Sequence, residues 1–204
     1  MRALLLNGSV RGADGDTAVA LARARAALTA HGDEVDELVL ATCEEDLDAI
    51  RARLVAADVF VFGTGTYWSS WGSPLQRFLE LATPWEAGPE FVGKPAIALV
   101  TMDSVGGVDV AARLLTTLSL LGCCVPPFGT VVLSRTGQAV VDQPGFEDVW
   151  RLDDVDVAVA NLRALADVRG RFTAWPVERA RAVHGVFPRP GRLDLGLPST
   201  LRGR

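Results

Sequence analysis

The fold of this chain is decided near its start, by the stretch Leu4-Leu5-Leu6-Asn7-Gly8-Ser9-Val10-Arg11-Gly12-Ala13-Asp14-Gly15-Asp16-Thr17. An apolar run leads through a loop rich in Gly, Ser, Arg and Thr into an alanine-rich helical segment, residues 18–28. In this order of elements, the free N–H groups of the loop and the positive end of the helix dipole converge on one point. The stretch therefore predicts a strand, a loop and a helix, with an anion site at the loop.

The side chains of this loop favour a phosphate as the anion. Ser9 and Thr17 supply hydroxyl groups, Arg11 supplies a guanidinium suited to a phosphate, and the glycines let the backbone approach a ligand closely. The alternative is an ordinary strand-to-helix turn in which Asp16 merely caps the helix. Asp14 and Asp16 favour that alternative, because carboxylates near a phosphate repel it.

The loop lacks the signatures of two common nucleotide sites. A nucleotide P-loop ends in Gly-Lys-Ser/Thr, and this loop contains no Lys. A dinucleotide fingerprint needs three glycines at the Rossmann spacing, which are missing as well. ATP, GTP and a Rossmann-bound dinucleotide are therefore not expected at this loop.

Composition bounds the class of protein. The 204 residues, 49% of them apolar and 22% charged, predict one globular domain with a full core. The net charge of −5 gives no basic footprint for nucleic acid. Three cysteines and two histidines predict neither a disulfide framework nor a metal site. The start of the chain has no signal-peptide pattern, and no apolar run approaches the roughly 20 residues of a membrane span. We therefore expect a cytoplasmic protein without a membrane partner.

Strand-like and helix-like segments alternate along the chain. The predicted strands cover residues 2–7, 34–40, 59–62, 95–102 and 130–133, and the predicted helices cover residues 16–31, 44–57, 74–82, 108–121 and 155–169. This alternation predicts an α/β doubly wound, five-stranded parallel sheet, with the second strand at an edge. Ligands of such sheets bind at the carboxyl ends of the strands, where the strand order reverses. Three loops, residues 8–16, 63–73 and 103–107, are expected at that edge.

The second and third of these loops each allow two interpretations. In the second, Tyr67 and Trp68 lie beside small hydroxyl residues, which favours aromatic walls for a flat ligand. The alternative is a contact loop for a protein partner, because Tyr and Trp are also enriched at interfaces. In the third, Gly106 and Gly107 suit a close approach of the backbone to a ligand, or simply turn the chain into the next helix.

The three loops together resemble the flavodoxin-like NAD(P)H-dependent FMN reductases. The first family motif matches Gly8-Ser9-Val10-Arg11, followed by Gly15-Asp16-Thr17. The second matches Gly65-Thr66-Tyr67-Trp68-Ser69-Ser70, then Leu75-Gln76-Arg77-Phe78-Leu79-Glu80. The third matches Gly93-Lys94-Pro95 and the later Gly106-Gly107. The likeness covers roughly residues 2 to 168 and keeps the order of all three motifs.

The resemblance implies a flavodoxin-like sheet of order 2-1-3-4-5 and FMN as cofactor. It implies a phosphate site at Ser9, Arg11, Gly15, Asp16 and Thr17, an isoalloxazine site at Gly65, Thr66, Tyr67, Trp68 and Ser69, and a ring edge at Met102, Asp103, Ser104, Gly106 and Gly107. The implied chemistry belongs to the cofactor: hydride passes from NAD(P)H to flavin N5 and on to a small-molecule electron acceptor such as a quinone, azo compound or flavin. No catalytic side chain is required.

Three departures from the family pattern keep a second class of function open. Gly65 stands where the family usually has Pro, Gln76 stands where it has Lys, and Asp16 stands where it has Asn. A non-enzymatic flavodoxin-like electron carrier, or a flavodoxin-fold module that has lost its cofactor, is the alternative.

The last 36 residues differ from the rest of the chain. Residues 169–204 carry eight Arg against one Glu and one Asp, together with four Pro. We interpret residues 1–168 as the flavodoxin-like domain and residues 169–204 as a basic, irregular arm. The arm either packs on its own acidic domain or crosses to a second subunit, since the family often forms homodimers or homotetramers.

Overall fold

A computed structural model describes residues 1–44, 46–145, 148–168 and 172–174 of the chain. Its elements, in chain order, are β1 (Arg2–Asn7), α1 (Asp16–Ala30), β2 (Glu34–Val39), α2 (Leu47–Ala56), β3 (Val59–Tyr67), β4 (Ser70–Trp71), α3 (Ser73–Ala82), β5 (Ala96–Met102), α4 (Gly107–Leu121), β6 (Thr130–Ser134), α5 (Arg135–Gln138) and α6 (Asp154–Asp167). Short 3-10 turns cover Gly12–Asp14 and Thr83–Trp85.

The main sheet has the strand order β2-β1-β3-β5-β6, and all of these neighbours pair in parallel. The short strand β4 pairs antiparallel with the end of β3. With β4 set apart, this order is the predicted 2-1-3-4-5, so the flavodoxin-like fold class is confirmed. The chain leaves β1 toward β2 on one side and returns through β3 on the other, so the order reverses between β1 and β3. The carboxyl ends of the parallel strands share one edge.

Both faces of the sheet are buried, which explains the continuous apolar runs of its strands. On β1, Leu4 and Leu6 belong to the cluster that includes α2, α3 and α4. Ala3 and Leu5 belong to the cluster on the other face, which includes α1 and α6. Side chains of a strand alternate between its faces, so an uninterrupted apolar run signals cover on both sides.

The strand β3 is longer than the sequence predicted. Residues 63–67 were interpreted as part of a loop, but they continue the strand, and the chain turns only at Trp68 and Ser69. The sequence alone ends this strand at Phe62, directly before Gly63. A Cβ at Gly63 would lie 2.8 Å from Leu21 Cδ1, so this glycine is there to let α1 pack closely on the sheet.

The helix α2 also begins later than predicted, at Leu47 instead of residue 44. Asp46 caps it, because its side chain accepts a hydrogen bond from the backbone N–H of Ala49 at 2.7 Å. The other predicted elements agree with the structure to within one or two residues at each end.

The motif Gly93-Lys94-Pro95 lies at the amino end of β5, far from the edge where ligands bind. The Lys94 ammonium donates to the carbonyl oxygens of Leu54 (2.6 Å) and Val55 (3.0 Å), in the last turn of α2. A cation at this end of a helix interacts favourably with its dipole. Burial lowers the pKa of Lys94. The motif therefore fastens α2 to the sheet.

The predicted arm, residues 169–204, lies outside the described residues except for residues 172–174. In that short segment the Phe172 ring lies against Gly93, where a Cβ would come within 2.8 Å of Phe172 Cδ2. Among the helices that the structure describes, none combines the length and the hydropathy needed to cross a bilayer.

Candidate functional site

A cleft of about 110 Å³ opens at the carboxyl edge of the sheet, where the strand order reverses. We call it the edge cleft. Its lining residues come from the loop after β1, the first turn of α1, the carboxyl ends of β3 and β5, and the residue that follows β5: Ser9, Arg11, Asp16, Thr17, Gly65, Thr66, Tyr67, Thr101, Met102 and Asp103. Nine of these ten residues are predicted site residues, and Thr101 is the addition. Parallel sheets bind ligands at this kind of position.

The loop after β1 is shaped by Asn7, a fully buried residue that the sequence analysis did not single out. Its Oδ1 accepts from the backbone N–H of Ser9 at 3.2 Å, and its Nδ2 donates to the carbonyl of Gly12 at 3.0 Å. Ser9 Oγ then accepts from the backbone N–H of Arg11 at 3.3 Å. In the sequence, the one sign of this role is a single amide side chain, Asn7, at the end of an apolar run.

The first turn of α1 offers hydrogen-bond donors to the edge cleft. The first N–H groups of a helix have no partner within the helix, and no side chain caps this one. The guanidinium of Arg11 lines the same cleft and pairs with no group in the part of the chain that the structure describes. Backbone donors, a helix dipole and an unpaired cation together form a site for an anion.

The predicted cap role of Asp16 is wrong. The extended residue that precedes the helix is Gly15 (φ −106°, ψ 167°), and Asp16 is already the first helical residue. Its exposed side chain makes no capping hydrogen bond. The N-cap is the extended residue before the helix, and from there a side-chain oxygen accepts from the free N–H of the second or third helical residue. The Asp16 carboxylate remains on the rim of the edge cleft.

A chain of hydroxyl groups lies beneath the cleft. Thr17 Oγ1 and Thr101 Oγ1 are 2.8 Å apart, and Thr101 Oγ1 donates to the carbonyl of Thr64 at 3.4 Å. Because the Thr101 hydroxyl donates its only proton to the Thr64 carbonyl, it accepts a hydrogen bond from the Thr17 hydroxyl. The hydroxyl proton of Thr17 is thus used inside the protein, and the donor left for a ligand is its backbone N–H.

Thr66 carries the clearest sign of a missing partner. Thr66 lines the edge cleft, and its buried hydroxyl oxygen has no hydrogen-bond partner within the described residues. A buried hydroxyl without a partner costs about 1–3 kcal/mol. A polar atom of a bound ligand would remove this cost.

The aromatic wall of the cleft is Tyr67, and it depends on Gly65. A Cβ at Gly65 would lie 3.1 Å from Tyr67 Cε2, so the ring packs directly over the Gly65 backbone. Glycine at this position, where the family usually has Pro, leaves room for the ring. The departure from the family pattern therefore has a local structural reason.

The turn between β3 and β4 is strained and clamped. Its two central residues, Trp68 (φ 48°) and Ser69 (φ 57°), both adopt the left-handed conformation that favours glycine. Arg113 of α4 donates to the carbonyl oxygen of Ser69 and lies over the Trp71 ring, 5.4 Å from its centroid. Arg113 Nε also pairs with Asp109 at 3.1 Å. The indole of Trp68 is fully exposed.

The glycine pair after β5 serves packing. Gly106 has φ 87° and precedes α4, and a Cβ there would lie 3.2 Å from Ser69 Oγ. A Cβ at Gly107 would lie 2.5 Å from Val132 Cγ1. The pair thus brings α4 close to the sheet and to the turn. The predicted site residues that do not line the edge cleft are Gly15, Trp68, Ser69, Ser104, Gly106 and Gly107.

Solved structures that share this fold include several flavin proteins. RosB with the bound intermediate 8-demethyl-8-formylriboflavin-5'-phosphate has a TM-score of 0.67 at 17% identity, covering 100% of this chain and 93% of that chain. The apo form of the NADH:FMN oxidoreductase EMOB has a TM-score of 0.64 at 16% identity, covering 80% and 88%. A flavodoxin from the domain Archaea has a TM-score of 0.59 at 13% identity, covering 82% and 99%. At such identities the likeness shows the fold alone.

The fold and the edge cleft define the class as a flavodoxin-like α/β protein with a cleft at the sheet's switch point. Residues 1–138 match the family model of the NADPH-dependent FMN reductases, and the chain belongs to this family of FMN-dependent oxidoreductases. The resemblance read from the three motifs is thereby confirmed. A comparison with curated protein sequences finds no match.

Proposed function

We propose that this protein binds FMN in the edge cleft and is an NAD(P)H-dependent oxidoreductase. The observation that carries the proposal is the set of unpaired polar groups gathered at that cleft: the Thr66 hydroxyl, the N-terminus of α1 and the Arg11 guanidinium. Bound FMN would supply the chemistry, accepting a hydride from NAD(P)H and passing electrons to a quinone, azo compound, flavin or similar acceptor.

We assign different residues of the cleft to different parts of FMN. Arg11, the hydroxyl of Ser9 and the first N–H groups of α1 would bind the phosphate. Ser9 fits this role because its oxygen already accepts from the backbone of Arg11, which leaves its proton free for a ligand. Thr66 would bind a polar atom of the flavin, and Tyr67 would cover an apolar surface of it. These donor types and this aromatic wall suit FMN.

The first test is a pair of titrations with FMN and riboflavin, which differ by the phosphate. We expect Arg11→Ala to weaken FMN by roughly 1.5–3 kcal/mol, the range for a hydrogen bond to a charged group, and to leave riboflavin nearly unchanged. Arg2→Ala is the matched control, because Arg2 is exposed at the opposite end of β1 and pairs with Glu34. It should leave both affinities unchanged.

Two results would contradict the proposal. A wild-type protein that leaves FMN fluorescence and its own melting temperature unchanged at saturating ligand has no flavin site. Equal loss of FMN and riboflavin affinity in Arg11→Ala would mean that the loop has a structural role and does not bind the phosphate.

A steady-state assay then separates the enzyme from the electron carrier. The FMN-loaded protein should oxidise NADH or NADPH when a quinone is supplied. A carrier would bind FMN with equal ease but would not consume the nicotinamide.

We also expect a homodimer or homotetramer, as the resemblance implies, and sedimentation equilibrium measures this directly.

A further inference from the structure

The indole of Trp68 is fully exposed, in the turn that directly follows Tyr67, a residue of the edge cleft. We propose that Trp68 is a stacking platform for a planar aromatic second substrate, either the nicotinamide or an aromatic electron acceptor. The inference rests on the proposed function, because it assigns the second substrate of the same site. It also departs from the resemblance, which gives Trp68 to the isoalloxazine.

The first support is the direction of the two neighbouring aromatic residues. Tyr67 ends β3 and lines the edge cleft, with its ring over Gly65. Trp68 follows it in the turn and is absent from the cleft lining. The chain therefore presents one aromatic ring inside the cleft and a second one outside it. The inner ring suits the flavin, and the outer ring is left for another ligand.

The second support is the rigidity of the turn that carries Trp68. Two non-glycine residues hold left-handed backbone conformations there, and Arg113 fixes the turn from α4 through the Ser69 carbonyl. The same guanidinium lies over Trp71 and pairs with Asp109, so three contacts set its position. A side chain on a pre-organised turn loses little conformational freedom when it binds. The strain has a purpose if the turn must present the indole in one place.

The third support is the character of the surface around the indole. Its neighbours in the turn are Ser69 and Ser70, and the charged pair Arg113 and Asp109 lies close by. The adjacent turn, joined to this one where Gly106 meets Ser69, adds the exposed Val105, and Val108 follows in the first turn of α4, so the apolar side chains added here are two valines. A stable protein interface needs a much wider apolar centre with several anchors. A single indole with polar surroundings suits a small planar ligand.

The test uses Trp68→Ala, with Trp68→Phe as the variant that keeps an aromatic face. Because the indole is exposed, neither change should lower the melting temperature. On the flavin-free protein, calorimetric titrations use two probes, reduced nicotinamide mononucleotide and menadione. On the FMN-loaded protein, KM and kcat are measured for NADPH and for menadione, with ferricyanide as an acceptor that lacks a planar aromatic face.

We expect Trp68→Ala to weaken one probe about 10-fold and to raise the matching KM by the same factor, while kcat, the FMN affinity and the ferricyanide rate at saturating NADPH stay unchanged. Trp68→Phe should recover most of this loss. Arg113→Ala should shift the same probe in the same direction, since it releases the turn. Loss at the nicotinamide arm assigns the platform to the electron donor, and loss at the menadione arm assigns it to the acceptor.

Three results would overturn the inference. Unchanged affinity and KM for both probes would leave Trp68 without a substrate. Loss of FMN affinity in Trp68→Ala would make the indole a wall of the flavin site, with the proposed function intact. A change in oligomeric state without a change in KM would make it a subunit contact. A wild-type protein that binds no FMN refutes the proposed function instead, and the two probe titrations on flavin-free protein still decide the role of Trp68.

Discussion

The two loops that flank the edge cleft obtain their shapes by opposite means. The loop after β1 is held from inside, by the buried amide of Asn7 and the hydroxyl of Ser9, both within a few residues of the groups they bind. The turn after β3 is held from outside, by Arg113, which lies 44 residues away from Ser69 in sequence. The shape of the first loop is set by hydrogen bonds within the loop, and the shape of the second is set by a contact from α4.

This difference determines what a change at each loop can do. A loop that is held by its own buried bonds loses its shape and its stability together when one of those bonds is removed. A turn that is clamped from the surface can lose its clamp while the sheet beneath it stays folded. We therefore expect the loss of a buried group that holds the first loop to reduce stability and flavin affinity together, and the loss of the surface contact that holds the second to act on ligands alone.

The largest expected effect comes from Gly72, because this residue packs the segment after β4 against the loop after β1. A Cβ at Gly72 would lie 2.4 Å from the backbone carbonyl oxygen of Gly8, and neither backbone can move without displacing its own loop. Gly72→Ala should destabilise the protein by about 3 kcal/mol, measured by urea unfolding. Gly15→Ala is the control, since its Cβ would meet side chains and no backbone: Arg11 Cβ at 3.0 Å and Ser9 Oγ at 3.5 Å. Equal losses in both variants would mean that this joint is not rigid.

A smaller effect is expected from Asn7→Ala, which breaks only the first loop. It leaves the N–H of Ser9 and the carbonyl of Gly12 without their partner, at a cost of about 2 kcal/mol in the free energy of unfolding. FMN affinity should fall with it. The control is Asn161→Ala on α6, whose side chain makes no hydrogen bond within the described parts of the chain. If Asn7→Ala lowers stability but leaves FMN binding intact, the loop does not shape the phosphate site.

The smallest expected effect comes from removing the charge of Asp16, which lies at the edge cleft beside the first loop. As the first residue of α1, Asp16 gains roughly 0.3–1 kcal/mol from the helix dipole, and its charge opposes a phosphate in the edge cleft. Asp16→Asn should lower stability by at most that amount and should tighten FMN, more strongly at low salt than at high salt. Asp14→Asn, outside the cleft lining, should change FMN affinity less. An FMN affinity of Asp16→Asn that equals that of the wild type at low salt would place the carboxylate away from the bound phosphate.

The sequence predicted the fold because the fold depends on long apolar runs, such as residues 3–6 and 59–62, whose burial on both faces is a property of whole segments. It predicted the cleft because the ends of parallel strands must meet. It missed Asn7 and Thr101, since single polar residues near strand ends resemble ordinary strand termini. It ended β3 at Phe62, before Gly63, and a glycine needed for packing looks the same in sequence as a glycine in a loop.

The chemical reactivity of Lys94 can serve as a probe of local unfolding at the end of α2. This residue is the single lysine of the chain, and its ammonium is held by two carbonyl oxygens at the end of α2. An acylating reagent should react with this half-buried amine faster once that helix end opens and the two carbonyl bonds are lost, so the rate of modification responds to the opening equilibrium. A ligand bound at the far end of β5 stabilises the folded state as a whole, and if the opening is global, labelling slows in proportion to occupancy. One amine would thus report a binding event a full strand length away.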